Sequence, residues 1–338
     1  MNLYLYLVLL VSFIFLVFIR IKDRRIRTLG LGGMIICWSL VARSTEPSVD
    51  VLAYTYVMTS EHSFLTSNLL FEPVLWAFHQ YVYKATSSTF LTWFLGDIIL
   101  LSLCYLAIKN LRSGLGMRSY TRLLAPYYPA IFGIILMSWP YYIGFYLTYR
   151  QLFGAVIFLL ALSQVRVSTL KGLMLLTCAC LTHNSIFLFA PIALYVSQRK
   201  FLRLLAYLLI LLIPFLLVHG NEYLDKVANF VGILLAAIYP IVLVLLSSIL
   251  TYLVKTQRIK VSADLIFINF FIPYISVMAW LLLPNGFAER VGMLTFMIIL
   301  PILIIFILNN FRHRSFVIVI FAAFVVTPVV TIYSNMLS

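Results

Sequence analysis

Charged residues are scarce in this chain of 338 residues, at 10% of the total, and only 10 of them are Asp or Glu. A soluble domain carries about 25% charged residues, so the composition excludes an ordinary water-soluble protein. Apolar residues make up 64% of the chain, which is typical of an integral membrane protein. At roughly 20 apolar residues for each crossing, the length accommodates about a dozen transmembrane helices and little extramembrane domain.

Cysteine and recognisable metal ligands are also rare. No cluster of His, Asp and Glu has the spacing of metal ligands, so we predict a metal-independent site and no cofactor. The cysteines lie in apolar stretches, and their spacing indicates neither a disulfide framework nor a zinc site (Cys37, Cys104, Cys178 and Cys180).

Basic residues, by contrast, are in excess, with 24 Lys and Arg. In a soluble chain this excess would suggest nucleic acid as a partner, but here the cations fall in short turns between apolar runs, as the positive-inside rule predicts. We therefore expect no nucleic-acid partner. Most of the cations lie on one predicted side, which we assign as the inner side, and both termini are predicted outside. The outer side keeps only a few cations: Arg43, Lys84, Arg150, Lys226 and Arg290.

The apolar runs predict an all-α polytopic membrane protein with about 12 transmembrane helices in a single domain, 1–338. The run 171–197 has a polar centre, and we divide it into two short helices that form a hairpin at His183. A helix of about 12 residues spans only ~18 Å, so the turn must lie below the outer surface and line a cavity. The predicted crossings are 2–19, 29–42, 91–108, 123–139, 149–165, 171–182, 185–197, 202–218, 231–254, 264–283, 291–309 and 315–333.

One long outer segment, 43–90, carries acids, histidines and aromatic residues between apolar stretches. Its part 64–84 is too polar to cross a membrane, so we predict an amphipathic helix at the outer interface. Glu72-Pro73 is typical of a helix start, and a capping role is the alternative to a functional one for Glu72. With the turn at 138–142, this side is rich in rings and hydrogen-bonding groups, which suits a sugar.

Four outer residues are candidates for catalysis. Arg150 lies at the start of a predicted crossing, and its planar guanidinium can donate two hydrogen bonds to one phosphate. The alternative is an interfacial Arg whose charged end reaches water. His183 is suited to hydrogen bonding or proton transfer, with a structural role as the alternative. Asp50 and Glu72 are the carboxylates that could activate a hydroxyl, or each is a solvated loop charge. Arg290 could supply a second cation, unless it forms a local salt bridge with Glu289.

Several short motifs together resemble the EpsG family of Wzy-like exopolysaccharide and O-antigen polymerases. They are Asp50 with Tyr54, Glu72-Pro73, Arg150-Gln151, His183-Asn184-Ser185 and Glu289-Arg290. The pairing of Arg-Gln with His-x-Ser is the most specific part of the resemblance.

The resemblance implies a polysaccharide polymerase with an architecture similar to GT-C-type glycosyltransferases, at the outer face of the bacterial inner membrane. Such an enzyme transfers a growing glycan from undecaprenyl diphosphate onto a lipid-linked oligosaccharide repeat unit, so both donor and acceptor are membrane lipids. A chain-length-determining co-polymerase is an implied partner. By resemblance, Arg150 and Arg290 bind diphosphate, Asp50 or Glu72 is the base, and His183 positions the substrate. The expected substrate contacts are Tyr54, Tyr149, Gln151, Ser185, Glu289 and Arg290.

Two other classes of protein remain as alternatives. A flippase for lipid-linked oligosaccharide would also have a basic membrane cavity and about a dozen spans, but we expect internal repeats in such a protein and find none. A membrane-bound acyltransferase that modifies a surface glycan would use a buried His, but it would need an entry for its acyl donor on the inner side, where this chain has only short turns.

Overall fold

The structure is a computed structural model, and it describes residues 23–43, 49–59, 72–117, 128–146, 148–224, 233–256 and 261–310. Within these ranges the chain forms thirteen α-helices and one short 3-10 helix. The helices are α1 (Arg24–Arg43), α2 (Val49–Thr59), α3 (Pro73–Thr86), α4 (Thr89–Gly114), α5 (Tyr128–Met137), α6 (Trp139–Tyr146), α7 (Tyr149–Val165), α8 (Thr169–Thr182), the 3-10 helix Asn184–Phe189, α9 (Ala190–Val196), α10 (Lys200–Leu224), α11 (Ile233–Thr256), α12 (Ala263–Leu282) and α13 (Asn285–Asn310).

Of the helices in the described ranges, five are long and apolar enough to cross a membrane: Thr89–Gly114, Lys200–Val218, Ala236–Thr256, Ala263–Leu282 and Asn285–Asn309. Large apolar side chains of α10 and α11 are widely exposed, which would be unfavourable in water over so large a surface. These features are typical of a multi-pass membrane protein, while the number of twelve crossings stays a prediction. The predicted crossings 2–19 and 315–333 lie outside the described residues.

Most predicted crossings that fall within the described ranges coincide with helices, because the apolar runs fix where helices form. The segment 138–142 differs from its prediction. Ser138 interrupts the helix, and the chain continues as α6, which carries Pro140 in its first turn, where proline is tolerated. Tyr141 is fully buried and donates a hydrogen bond to the Met297 carbonyl (2.9 Å). The prediction of an aromatic outer turn is therefore wrong here, because these rings pack in the core.

The helix α7 lies at the centre of the fold and is buried along most of its length. It packs most extensively against α4 and α8. Both neighbours approach it at glycines: a Cβ on Gly114 of α4 would meet the backbone of Leu162 and Ser163, and one on Gly172 of α8 would meet the backbone of Val165. This close packing fixes α7, and with it the position of Arg150 in its first turn.

The chain reverses direction at His183, as the sequence predicts. The α7 helix of 17 residues is about 25 Å long, with Arg150 at one end and Arg166 just beyond the other. His183 lies at the Arg150 end, where a Cβ on Gly154 would be 3.0 Å from its Cβ. Gln198, which follows α9, shares the carboxylate of Asp264 with Arg166 at the opposite end. The short segment between His183 and Gln198 therefore runs back along α7.

Candidate functional site

Glu72 is the residue that immediately precedes α3, whose first position is Pro73. Its side chain makes no capping hydrogen bond to that helix. Instead, the carboxylate contacts Arg150 and His183, which lie 78 and 111 residues further along the chain. The capping alternative is therefore wrong, and Glu72 is the centre of a polar cluster that joins three distant segments.

Arg150 lies in the first turn of α7, and its guanidinium donates from Nη1 to Oε2 of Glu72. Two rings flank the same guanidinium: its Cζ lies 4.9 Å from the ring centre of Tyr54 and 5.5 Å from that of Trp76. These rings meet edge to face at 5.3 Å. The Arg150 side chain is 31% exposed, so the cation remains within reach of a molecule that enters the site.

His183 lies between α8 and the 3-10 helix, in an extended conformation that ends the first helix after Thr182. Its Nδ1 lies 2.7 Å from Oε1 of Glu72, and the backbone N–H of Asn184 donates to the same oxygen at 3.3 Å. The break between the helices thus supplies two of the contacts to the carboxylate. A continuous helix over 171–197 would not present both groups in this way.

The charges of the cluster determine the ionisation of Glu72. Burial raises the pKa of its carboxyl, but the hydrogen bond and electrostatic contact with His183, the charge of Arg150 and the Asn184 amide outweigh it. The pKa of Glu72 therefore lies below the usual range for glutamate, and the group is an anion at neutral pH.

The other predicted site residues near the cluster differ in their surroundings. Tyr54 lies against Arg150, as described above. Tyr149 and Gln151 are buried, and Ser185 is half-buried in the 3-10 helix. Asp50 lies in the first turn of α2, but its side chain is outside what the structure describes. Their substrate contacts stay predictions.

Glu289 and Arg290 lie inside the first two turns of α13, which begins at Asn285, six residues before the predicted crossing. The Arg290 guanidinium lies over the ring of Phe287 at 5.9 Å. Among the described residues, no salt bridge joins Glu289 to Arg290. Their predicted roles stay predictions.

A second buried ion pair, which the sequence analysis did not identify as a site, joins α1 to α4. Arg43 donates to both oxygens of Asp97, at 2.8 and 2.7 Å, and Ser39 donates to the same carboxylate at 3.0 Å. The guanidinium lies over the rings of Trp93 and Tyr149, at 4.7 and 5.2 Å. One signal could have found this pair: an acid in the middle of an apolar run needs a cation, and few cations lie on that side.

A third polar cluster lies at the opposite end of α7. Asp264 accepts hydrogen bonds from Arg166 (3.0 Å) and Gln198 (2.9 and 3.0 Å), and Arg203 approaches within 3.7 Å. These contacts connect α7, α10, α12 and the turn between α9 and α10. Arg166 and Arg203 are among the cations that the positive-inside rule assigns to the inner side.

The cluster of Glu72, Arg150 and His183 combines three chemical capacities. Arg150 can bind an anion with a planar fork, His183 can accept or donate a proton, and the rings of Tyr54 and Trp76 can stack on the CH face of a sugar. Within the described ranges, no group of three or more His, Cys, Asp and Glu could hold a metal ion.

The fold and the cluster together define a class: a helical protein typical of multi-pass membrane proteins, with a polar site between α2, α3, α7 and the break after α8. Comparisons with protein-family models, with curated proteins and with solved structures found no match to this chain.

Proposed function

We propose that this protein is a polysaccharide polymerase of the bacterial inner membrane. It transfers a growing glycan from undecaprenyl diphosphate onto a lipid-linked oligosaccharide repeat unit at the outer face, within a twelve-span, GT-C-like architecture. The observation that carries the proposal is the contact of Glu72 with both Arg150 and His183. These are the residues in which the chain resembles the EpsG family, and they are far apart in the sequence.

Arg150 acts on the leaving group. As the bond between the anomeric carbon and the diphosphate oxygen breaks, negative charge grows on that oxygen, and a guanidinium held at this point stabilises it. This interaction is stronger in the transition state than in the bound substrate, so it raises the rate and not only the affinity. Arg290 contributes a second cation to the same diphosphate in this proposal.

The aromatic residues beside the cation bind the sugar. Tyr54 and Trp76 lie against the guanidinium on adjacent helices, so a saccharide stacked on either ring would have its anomeric diphosphate close to Arg150. Tyr149, Gln151, Ser185 and Glu289 complete the proposed substrate contacts.

A flippase for lipid-linked oligosaccharide is the second candidate function. The observation that favours it is the buried pair of Arg43 and Asp97, because ionisable groups inside a membrane often mark transport pathways. Asp97, however, accepts three hydrogen bonds, and both of its oxygens accept from Arg43. Such contacts are also typical of an ion pair that only stabilises the packing of two helices.

The test is the length of the glycan made by a deletion strain that carries wild-type protein, Arg150→Lys or Arg150→Ala. Both variants should be abundant in the membrane and leave a single repeat unit on the acceptor, with turnover reduced about 10²- to 10³-fold. Lysine keeps the charge but loses the planar fork. The matched control is Arg166→Lys, the same change beyond the opposite end of α7, which should make polymer of normal length.

Polymer of wild-type length from Arg150→Lys would contradict the role of Arg150. If the deletion strain instead accumulates lipid-linked repeat units on the inner leaflet, with none on the outer leaflet, the protein is a flippase.

A further inference from the structure

The protonation state of His183 follows from its partner. Glu72 is an anion, and an ionised carboxylate can only accept hydrogen bonds. The nitrogen Nδ1 of His183, at 2.7 Å from Oε1 of Glu72, must therefore carry a proton. In the neutral imidazole the other nitrogen, Nε2, then has a free lone pair and is a proton acceptor.

The two candidate bases of the cluster, Glu72 and His183, differ in the hydrogen bonds that they already accept. Both oxygens of Glu72 already accept hydrogen bonds, from Arg150, from His183 and from the Asn184 amide. These contacts stabilise the anion and make it a weak base. In contrast, Nε2 of His183 is buried and has no hydrogen-bond partner among the described residues. An unpartnered acceptor in a buried place is unfavourable unless a ligand satisfies it.

Packing against α7 fixes the position of His183. Gly154 of α7 has no side chain, and a Cβ there would be 3.0 Å from both the Cβ of His183 and Cγ1 of Ile186. The helix α7 therefore supports the backbone of the break, and Glu72 fixes the ring orientation through Nδ1. Asn184 is exposed and Ser185 is half-buried, so an acceptor sugar can approach His183 from their side.

We propose that Nε2 of His183 is the general base of the transfer reaction, and that Glu72 is a positioning residue that orients the imidazole. This inference rests on the proposed function. It differs from the role that the family resemblance implies, in which a carboxylate is the base and His183 only positions the substrate.

The step balances without another reactant. The hydroxyl oxygen of the acceptor sugar forms a bond to the anomeric carbon of the donor while its proton moves to Nε2. The bond from the anomeric carbon to the diphosphate oxygen breaks, and the diphosphate leaves with the electron pair towards Arg150. The imidazolium that results keeps its Nδ1–H on the carboxylate of Glu72, which stabilises the new positive charge.

The experiment uses purified full-length protein in liposomes, with undecaprenyl diphosphate-linked repeat unit as donor and acceptor. His183→Ala should reduce turnover about 10²- to 10⁴-fold, and added imidazole should restore part of it, since imidazole can occupy the vacated space and accept the proton. His183→Gln leaves no such space, so it should be equally slow and not restored. Binding of undecaprenyl diphosphate, measured directly, should change less than threefold in both variants.

A second measurement separates proton transfer from a structural role. In Glu72→Gln the ring loses the anionic partner that stabilises the imidazolium, so the pH profile of kcat should change. A structural role for the pair would lower activity equally at every pH.

The outcomes distinguish this inference from the function on which it rests. If wild-type protein makes polymer and His183→Gln keeps more than a tenth of its turnover, the base is another group and only this inference fails. The same holds if imidazole restores nothing to His183→Ala and the pH profile of Glu72→Gln does not move. If wild-type protein makes no polymer from the repeat unit, the proposed function fails, and this inference fails with it.

Discussion

Arg150 occupies an unfavourable position for a cation, because the first turn of a helix carries the positive end of the helix dipole. Glu72 and the faces of Tyr54 and Trp76 compensate for this. An arginine at such a place contributes little to helix stability by itself, which agrees with a role in binding an anion. In the resting site, however, its charge is already matched by Glu72.

This charge balance gives an expectation for Glu72→Gln at the residue scale. Without the carboxylate, the guanidinium of Arg150 loses a competing anion, so undecaprenyl diphosphate should bind about 5- to 10-fold more tightly. Turnover should fall about 10²-fold, because the orientation of His183 is lost. Equilibrium binding and initial rates on the same liposomes measure the two effects. Weaker binding in Glu72→Gln would mean that Glu72 contacts the substrate and does not compete with it.

At the scale of elements, the packing of α8 on α7 depends on a residue without a side chain. In Gly172→Ala the new methyl group would lie against the backbone of Val165, which cannot move without shifting α7. We expect a loss of about 1–3 kcal/mol in the free energy of unfolding, measured as a lower thermal midpoint in detergent. The matched control is Gly33→Ala in α1, where no atom of a described residue lies within 4 Å of the new Cβ. It should be neutral or stabilise the helix by about 0.5–1 kcal/mol. Equal midpoints for the two variants would contradict the close packing.

The buried ion pair of Arg43 and Asp97, which joins α1 to α4, gives a second expectation at the scale of elements. Asp97→Ala leaves the guanidinium of Arg43 buried without its carboxylate, which should cost about 3–5 kcal/mol. The double variant Arg43→Met/Asp97→Leu removes both charges and should recover most of this loss, because apolar side chains can replace a buried pair. Thermal unfolding of both proteins in detergent compares them. If the double variant stays as unstable as Asp97→Ala and transport of lipid-linked sugar is lost in both, the pair has a functional role and the flippase is favoured.

At the scale of the whole molecule, polar clusters lie at the two ends of α7. The cluster of Glu72 lies at one end, and that of Asp264 with Arg166, Gln198 and Arg203 at the other. Apolar side chains fill the length between them. This arrangement agrees with a predicted orientation in which the basic turns face the cytoplasm and the candidate site faces outside.

Thiol labelling tests this orientation. In a variant without its natural cysteines, Lys84→Cys should react with a membrane-impermeant maleimide in intact spheroplasts, because Lys84 is exposed on the predicted outer side. Val167→Cys, at a position that is 71% exposed between α7 and α8, should react only after the membrane is permeabilised. The reverse pattern would place Arg150 on the inner side and exclude the proposed polymerase. Labelling of both positions from outside would contradict the predicted crossing over 149–165.

The sequence alone is enough to predict the helical class and most of the helix positions in the described ranges. In a membrane every backbone polar group needs an internal partner, so apolar runs of sufficient length become helices, as in 149–165. It also indicated Glu72, Arg150 and His183 as candidates, because polar groups within apolar surroundings are few and conspicuous. The break at His183 could be predicted because four polar residues interrupt the apolar run 171–197.

Which of these groups are in contact depends on how the helices pack. Hydropathy carries no information about contacts across 78 or 111 residues, so Glu72 could have paired with Arg290 as readily as with Arg150. For the same reason the contact between Arg43 and Asp97 was missed. The burial of Tyr141, and the lone pair that remains on Nε2 of His183, also follow from packing between helices, which depends on shape and not on the order of residues in the chain.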